Sequence, residues 1–418
     1  MLLLVIGLSL GGTDMKFTLK TLMEEVGCQK YPERWSEIFD AAMNEYDEQG
    51  CYLTKVEFYD ELHAKYGCFA QYGEVYKAAA IQTAEDEALS RFLTLLAMAL
   101  KDDEHKHDDL KMFSRPVTPE GKNTLAYEMV TGLALCSQLE TGVENMRKRG
   151  FPSHTINDVL ALAVSGVSTS ERKNNGAPGF ELLGWAQKYI EAKLLVIERL
   201  EIEFLGKFSA KAIVFQNKEG EIVTLANDLE LHRDGFALGS LHYEEEEGWW
   251  MATVEEKECS WVGYPFAENG VVSKEKIELS KEEWKKMLET GDPVIRLHIP
   301  PVGKMTPEMI DKTLEETKIF AKEHYPDFHY KAFTCHSWLI DPQLDEILNP
   351  ESNIVKFRQR FHSLTRKSKG EDVFNFIFNK PNMNFDIRDL PEESSLQRAL
   401  KQHYLSGKAI YELEGFFF

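Results

Sequence analysis

The hydrophobic period of this chain changes near residue 201, and that change restricts the fold more than any other feature. From Phe17 to about Gly150 the apolar residues recur at helical spacing: Ala88–Leu100 is almost wholly apolar, and Leu125, Met129, Leu133, Leu139 and Val143 follow in the segment Thr124–Arg149. From Glu201 the pattern shortens. Ile202, Phe204 and the run Ala212–Phe215 read as strands, and the turn Asn217–Gly220 leads into Ile222–Leu225, a hairpin arrangement. A sequence that switches from a period of about 3.6 to a period of two cannot be one helical bundle or one barrel. With 418 residues it also exceeds what one core usually organises, so two domains are expected.

Further helices are expected over Asn157–Val164 and Leu182–Leu200, separated by the loop Asn174–Gly179. Trp249–Val254 and Ser260–Tyr264 extend the strand-rich part, and Ser280 with Glu283 has the capping-box spacing of a helix running through Met287. The last third alternates. Val294–Ile299 reads as a strand, Pro300–Met305 as a loop, and Thr306-Pro307-Glu308 as the start of a helix to about Tyr325. Lys331–Leu339 is the next strand, Gln343–Leu348 a short helix, and Ile354–Phe361 and Phe374–Phe378 are further strands. One amphipathic helix between two strands implies that those strands are parallel neighbours joined by a right-handed crossover. The expected fold class is therefore α+β: a helical N-terminal domain, then an α/β domain with a mixed, partly parallel sheet.

Composition removes some functions. The chain has 48 basic and 69 acidic residues, a formal charge of −21, which argues against a broad nucleic-acid-binding surface. The six cysteines, at 28, 51, 68, 136, 259 and 335, show no regular spacing and no Cys-x-x-Cys, as expected for a reduced cytoplasmic protein without a zinc ribbon. Leu2–Leu10 is apolar but far shorter than the ~20 residues of a membrane span. No basic residue precedes it and no small-residue cleavage site follows, so residues 1–14 read as an over-extended start before Met15, with an export signal or an ordered apolar arm as the alternatives.

Three segments of the last third carry a resemblance: Leu297-His-Ile-Pro-Pro-Val-Gly-Lys-Met-Thr-Pro307, Ala332-Phe-Thr-Cys-His-Ser-Trp338 with Asp341-Pro342, and Asn353-Ile-Val-Lys-Phe-Arg358. Together they resemble a group of bacterial acyltransferase-domain proteins with a GNAT-like C-terminal half and a separate N-terminal companion domain. The resemblance implies a helical companion domain over 15–170, a connecting helix over 171–200 and a GNAT-like acyltransferase domain over 201–418. It implies acyl-coenzyme A as co-substrate, no metal, and a small-molecule amine as acceptor. GNAT folds hold the pyrophosphate of acyl-coenzyme A in a strand–loop–helix, which here is the segment holding Val302, Gly303, Lys304 and Thr306.

The residues themselves agree in part. A helix start presents unpaired N–H donors and a favourable dipole to an anion, Gly303 permits close approach, and Lys304 adds a positive charge. The usual Gln/Arg-x-x-Gly-x-Gly/Ala loop is absent, and Pro300, Pro301 and Pro307 remove backbone donors. The Tyr that many GNAT enzymes place after this strand to protonate the thiolate is missing too, since no Tyr stands between Lys331 and His403.

Acyl transfer to an amine needs a base, and imidazole titrates in the right range. His298 and His336, on strands expected to be neighbours, are the candidates. Cys335 is the candidate nucleophile, although strand alternation puts it on the opposite face from His336 and packing as a small buried hydrophobe is the favoured reading. Trp249, Trp250, Trp261, Tyr264 and Phe266 could line an acceptor pocket or form core, and His105-x-His107 among carboxylates reads as a solvated loop. Asp341 reads as a cap of the helix that follows it. Three readings remain: an N-acyltransferase using direct attack, a catalytically silent GNAT-like binding protein, and a Cys335 thiol enzyme.

Overall fold

The structure is a computed structural model that describes residues 17–244, 248–300, 303–380 and 383–418. The expectation for residues 1–14, Pro301 and Val302 lie outside the described residues. The chain divides into two compact units, Met1–Ala192 and Lys193–Phe418.

The first unit is helical. Its central helices, Glu87–Leu100 and Thr124–Cys136, are buried on nearly every face because their sequences are almost entirely apolar. Asp86 caps the former by accepting from the Leu89 N–H at 3.2 Å. Phe180 wedges against two glycines: a Cβ at Gly132 would lie 2.9 Å from its ring, and one at Gly166 2.7 Å.

The second unit begins where a helix was expected to continue. The Leu183–Ile190 helix ends, Ala192 takes a left-handed conformation, and β1 (Leu194–Ile197) pairs antiparallel with β2 (Leu200–Lys207). Val196 and Ile197 favour an extended chain, and the two-residue turn Glu198–Arg199 closes the hairpin. The strands that follow are β3 (Ala212–Gln216), β4 (Ile222–Ala226), β5 (Leu229–Leu231), β6 (Trp250–Ala252), β7 (Glu255–Glu256) and β8 (Ser260–Pro265). After them come β9 (Ile277–Ser280), β10 (Lys285–Glu289), β11 (Pro293–His298), β12 (Ala332–Ser337), β13 (His362–Leu364) and β14 (Leu413–Phe417).

The principal sheet has the order β1-β2-β11-β12-β14-β13. Among the described residues its one parallel pair is β11 with β12, joined through the Pro307–His324 helix as the sequence predicted. A second sheet, β10-β3-β4-β8-β7 with β9 on β8, contains the predicted β3–β4 hairpin. Val294, Ala332, Leu364 and Phe416 of the principal sheet pack against Phe208, Ala212, Val214 and Leu288 to form the core between the sheets. On the opposite face the Pro307–His324 helix buries Ile310, Leu314, Thr317 and Ala321, and Phe204 stacks on Tyr325 with ring centroids 4.4 Å apart.

Three expectations fail for the same reason, that contacts distant in sequence override local pattern. Ser280 does start a turn, its Oγ accepting from Glu282 N–H at 3.2 Å, but residues 285–289 extend as β10 to pair with β3. Ile354–Phe361 is largely the helix Asn353–Arg358, capped by Ser352 and pinned by the Arg358–Asp345 ion pair. Phe374–Phe378 belongs to the helix Asp372–Ile377, whose Asp372 N–H is accepted by the Glu412 carboxylate at 2.9 Å.

Candidate active site

Strand alternation and register place a set of polar side chains on one face of the principal sheet. Residues 294, 296 and 298 of β11 share a face with 332, 334 and 336 of β12, since Val294 pairs with Ala332 and Arg296 with Thr334. Cross-strand partners extend this face to Glu414 of β14, opposite His336, and to Glu201 and Glu203 of β2, opposite His298 and Arg296. The core between the sheets covers the end nearer Val294 and Ala332. Arg296, His298 and His336 lie further along the same face.

The decisive geometry is in the ladder. β11 and β12 pair through Val294, Ile295 and Arg296 only, although both strands continue. Beyond that point β11 stays with β2 as far as His298–Glu201, and β12 stays with β14 as far as Ser337–Leu413. The two parallel strands therefore part at their C-terminal ends, the side on which open α/β sheets receive ligands. His298 and His336 stand one on each side of that parting.

Each histidine has a different environment. His298 Nε2 lies 2.8 Å from Glu203 Oε2, so a carboxylate backs the ring. His336 is pushed down to about 4, first by the loss of water around its ring and then by the positive charges of Arg366 and Arg296 and by His298. Its side chain keeps an exposed surface, so the two guanidiniums are the firmer cause. Arg366 is anchored by Glu414, which accepts from Arg366 Nη1 at 2.9 Å and from Ser209 Oγ at 3.1 Å while only 2 % exposed. Arg296 donates to the Lys207 carbonyl at 2.5 Å. β2 carries a bulge there: Leu205 is left-handed, and a Cβ at Gly206 would come 2.9 Å from the Val294 oxygen.

Cys335 is not part of this group. It lies on the opposite face, 1 % exposed, and burial together with Glu414 pushes its thiol well above the ordinary range. A thiol held protonated and away from both histidines is a poor nucleophile. Asp341, buried and pushed up to about 6 by desolvation, accepts from the Gln343 N–H at 2.9 Å and from the Tyr411 N–H at 2.8 Å; it holds the chain after β12 rather than facing the parting.

The loop after β11 leads to the Pro307–His324 helix. Thr306 is its N-cap, accepting from the Met309 N–H at 3.4 Å. Gly303 is left-handed with open space around it, and Lys304 is exposed. Glu308 folds back: its own N–H and the Thr306 hydroxyl hold its carboxyl below the usual range, placing an anion at the helix start. Arg199, from the β1–β2 turn, donates to the carbonyls of Lys304 (2.9 Å), Pro300 (3.2 Å) and Gly303 (3.5 Å).

Of the other aromatic candidates, Trp250, Trp261, Tyr264 and Phe266 pack against the core, while Trp249 is exposed. Trp261 packs on Phe215 (4.8 Å between centroids) and Trp250 edge-on to Tyr264 (4.7 Å). His105 pairs with Asp102 and His107 with Glu191, and among the described residues no group of His, Cys, Asp and Glu could hold a metal ion. No helix of the described residues is long and apolar enough to cross a membrane. Sequence reasoning missed Glu203, Arg296, Arg366, Glu414 and Arg199. Only the alternation Glu201-Ile202-Glu203-Phe204 hinted that β2 has a polar face.

Residues 236–417 match the GNAT-like C-terminal domain family. That stretch lies within the C-terminal unit and covers most of it. No curated protein sequence matches the chain. Among solved structures, an acyltransferase in complex with decanoyl-CoA and teicoplanin is 18 % identical, with 95 % of this chain and 98 % of that one covered and a TM-score of 0.57. An acyltransferase with decanoyl-CoA is 19 % identical over the same shares, with the same TM-score. At these identities the likeness is one of fold. The GNAT-like match contains the splayed pair β11–β12, the two histidines and the loop at Gly303.

Proposed function

We propose that the protein transfers an acyl group from an acyl-coenzyme A to an amine by direct attack. One observation carries the reading: the ladder between β11 and β12 stops at Arg296–Thr334, leaving a gap flanked by His298 and His336. The fold is shared with acyltransferases whose structures hold decanoyl-CoA or octanoyl-CoA, and in one case also teicoplanin. The thioester arm would lie in the gap, and the pyrophosphate against Gly303, Lys304 and the helix start at Thr306, with no metal. Val302 belongs to the same loop. Since acyl-coenzyme A is made in the cytoplasm, that is where we place the reaction. The domain division proposed from the sequence, 15–170 as companion and 201–418 as acyltransferase, puts all of these groups in the second part.

In this mechanism His298 takes a proton from the acceptor ammonium, and Glu203 stabilises the imidazolium that forms. The freed amine attacks the thioester carbon. His336, held neutral, donates a hydrogen bond to the carbonyl oxygen as negative charge develops there. The C–S bond then breaks with its electron pair on sulfur, and the second proton, lost by nitrogen as the amide forms, passes to that thiolate to give the free thiol of coenzyme A, while His298 returns its proton to water. Cys335 takes no part.

A second reading, a silent binding protein, is favoured by the Glu308 carboxylate at the helix start, where a phosphate would sit. Calorimetry with acetyl-, octanoyl- and decanoyl-CoA, followed by thiol release in the presence of primary amines, separates the readings. Binding with turnover that is lost in His298→Ala supports the transferase. Binding without turnover supports the silent protein, and no binding to any of the three refutes the acyl-coenzyme A site.

A further inference from the structure

We infer that Arg199 is the positioning residue that shapes the loop between β11 and its helix into a receptor for the anionic end of the co-substrate. The inference rests on the acyl-coenzyme A reading and adds to it how a loop without the usual glycine pattern does the work.

Arg199 is 9 % exposed, in the turn between β1 and β2, and its own N–H donates to Thr313 Oγ1 at 3.2 Å, which ties that turn to the helix. Burying a guanidinium costs several kcal/mol unless its donors are satisfied. Here Nε and Nη2 are satisfied by carbonyls of one short loop, those of Lys304, Pro300 and Gly303. Nη1 is buried and has no hydrogen-bond partner among the described residues, so the cation is not fully used by the loop.

Gripping carbonyls has a directional consequence. In a trans peptide the N–H points opposite to the C=O. Turning the Gly303 and Lys304 carbonyls toward Arg199 therefore turns the N–H groups of Lys304 and Met305 the other way. Three carbonyl oxygens drawn together would also repel one another without a cation between them, so the loop conformation depends on the guanidinium. The fork geometry matters: five donors in a plane can hold several oxygens, whereas an ammonium is a point charge on a flexible stem. Gly303, left-handed with open space beside it, supplies the turn that brings its carbonyl inward.

The test compares two thioesters of the same acyl group, octanoyl-CoA and S-octanoyl-pantetheine, which lacks the pyrophosphate and nucleotide. In Arg199→Gln the KM for octanoyl-CoA is expected to rise about tenfold, as loss of one well-placed charge-assisted contact set would give. The kcat/KM for the pantetheine thioester stays within about twofold. Arg199→Lys behaves like the glutamine variant, because a point charge does not hold three carbonyls. Gly303→Ala, which strains the turn that presents the carbonyl Arg199 grips, should also raise the KM for octanoyl-CoA and keeps the inference testable if the Arg199 variants fold poorly; a KM within about twofold of wild type counts against it. Equal losses on both thioesters, or full rescue by lysine, overturn this inference alone. Failure of the wild-type protein to bind octanoyl-CoA overturns the acyl-coenzyme A reading and this inference with it.

Discussion

Replacing Glu203 by glutamine tests the proposed base most directly. The amide oxygen keeps an acceptor 2.8 Å from His298 Nε2, so the change removes charge and leaves shape. With charge centres about 4 Å apart and an effective dielectric near 20, the pair attracts by roughly 4 kcal/mol once the imidazole is protonated. The imidazole side chain is 25 % exposed and the carboxylate 12 %, so solvent screening reduces this to about 1.5–3 kcal/mol. At about 1.4 kcal/mol for each tenfold change in rate, kcat should fall about 10- to 100-fold. Thiol release from octanoyl-CoA, followed with a chromogenic disulfide at saturating donor, measures it. The KM for octanoyl-CoA should change less than about twofold, because the carboxylate acts on the proton transfer and not on the donor. His298→Asn should lose at least as much, and the double variant should be no worse than His298→Asn alone, since the carboxylate acts only through the ring. A wild-type kcat in Glu203→Gln, or losses that multiply in the double variant, would refute the assignment.

Three other outcomes follow from the geometry. The His336 imidazole, titrated by NMR against a His336→Asn reference, should protonate near pH 4 and move upward in Arg366→Gln, because a neighbouring cation disfavours a second positive charge; an unmoved value removes Arg366 as a cause, leaving burial, Arg296 and His298. Glu308→Gln should tighten octanoyl-CoA about two- to fivefold by calorimetry, since it removes an anion from the helix start, and unchanged affinity would show that the carboxylate swings clear. Asp341, pushed up to about 6 from 3.8, keeps its proton in the native state where the unfolded chain has lost it, so its contribution favours folding below about pH 4 and is lost as pH rises to about 6. The difference is worth about 3 kcal/mol. Urea midpoints at pH 4.5 and 7.5 should therefore show Asp341→Asn gaining on the wild type at the higher pH, and a difference that does not vary with pH would contradict the shift.

How much could be read in advance depended on the range of the forces involved. The change of period near residue 201, the β3–β4 hairpin and the Thr306-Pro307-Glu308 helix start are local, because turn chemistry and capping act within a few residues. The parallel pair β11–β12 followed from one helix standing between two strands. By contrast, Ser280 lies in a good capping pattern and Phe374–Phe378 in a good strand pattern, yet pairing with β3 and the distant Glu412 carboxylate decided otherwise.

For the site, the sequence by itself put forward the two histidines and the loop at Gly303 and Lys304 as candidates, and strand alternation separated Cys335 from His336. Only the tertiary structure decided what those histidines can do. Glu203 sits 95 positions before His298, Arg366 reaches His336 by way of Glu414, and Arg199 closes on a loop more than a hundred residues further along. Register between strands sets these pairings, and register depends on the whole sheet rather than on any local pattern. The parting of β11 from β12 is likewise a property of two strands each held by a different neighbour, which neither strand's sequence records.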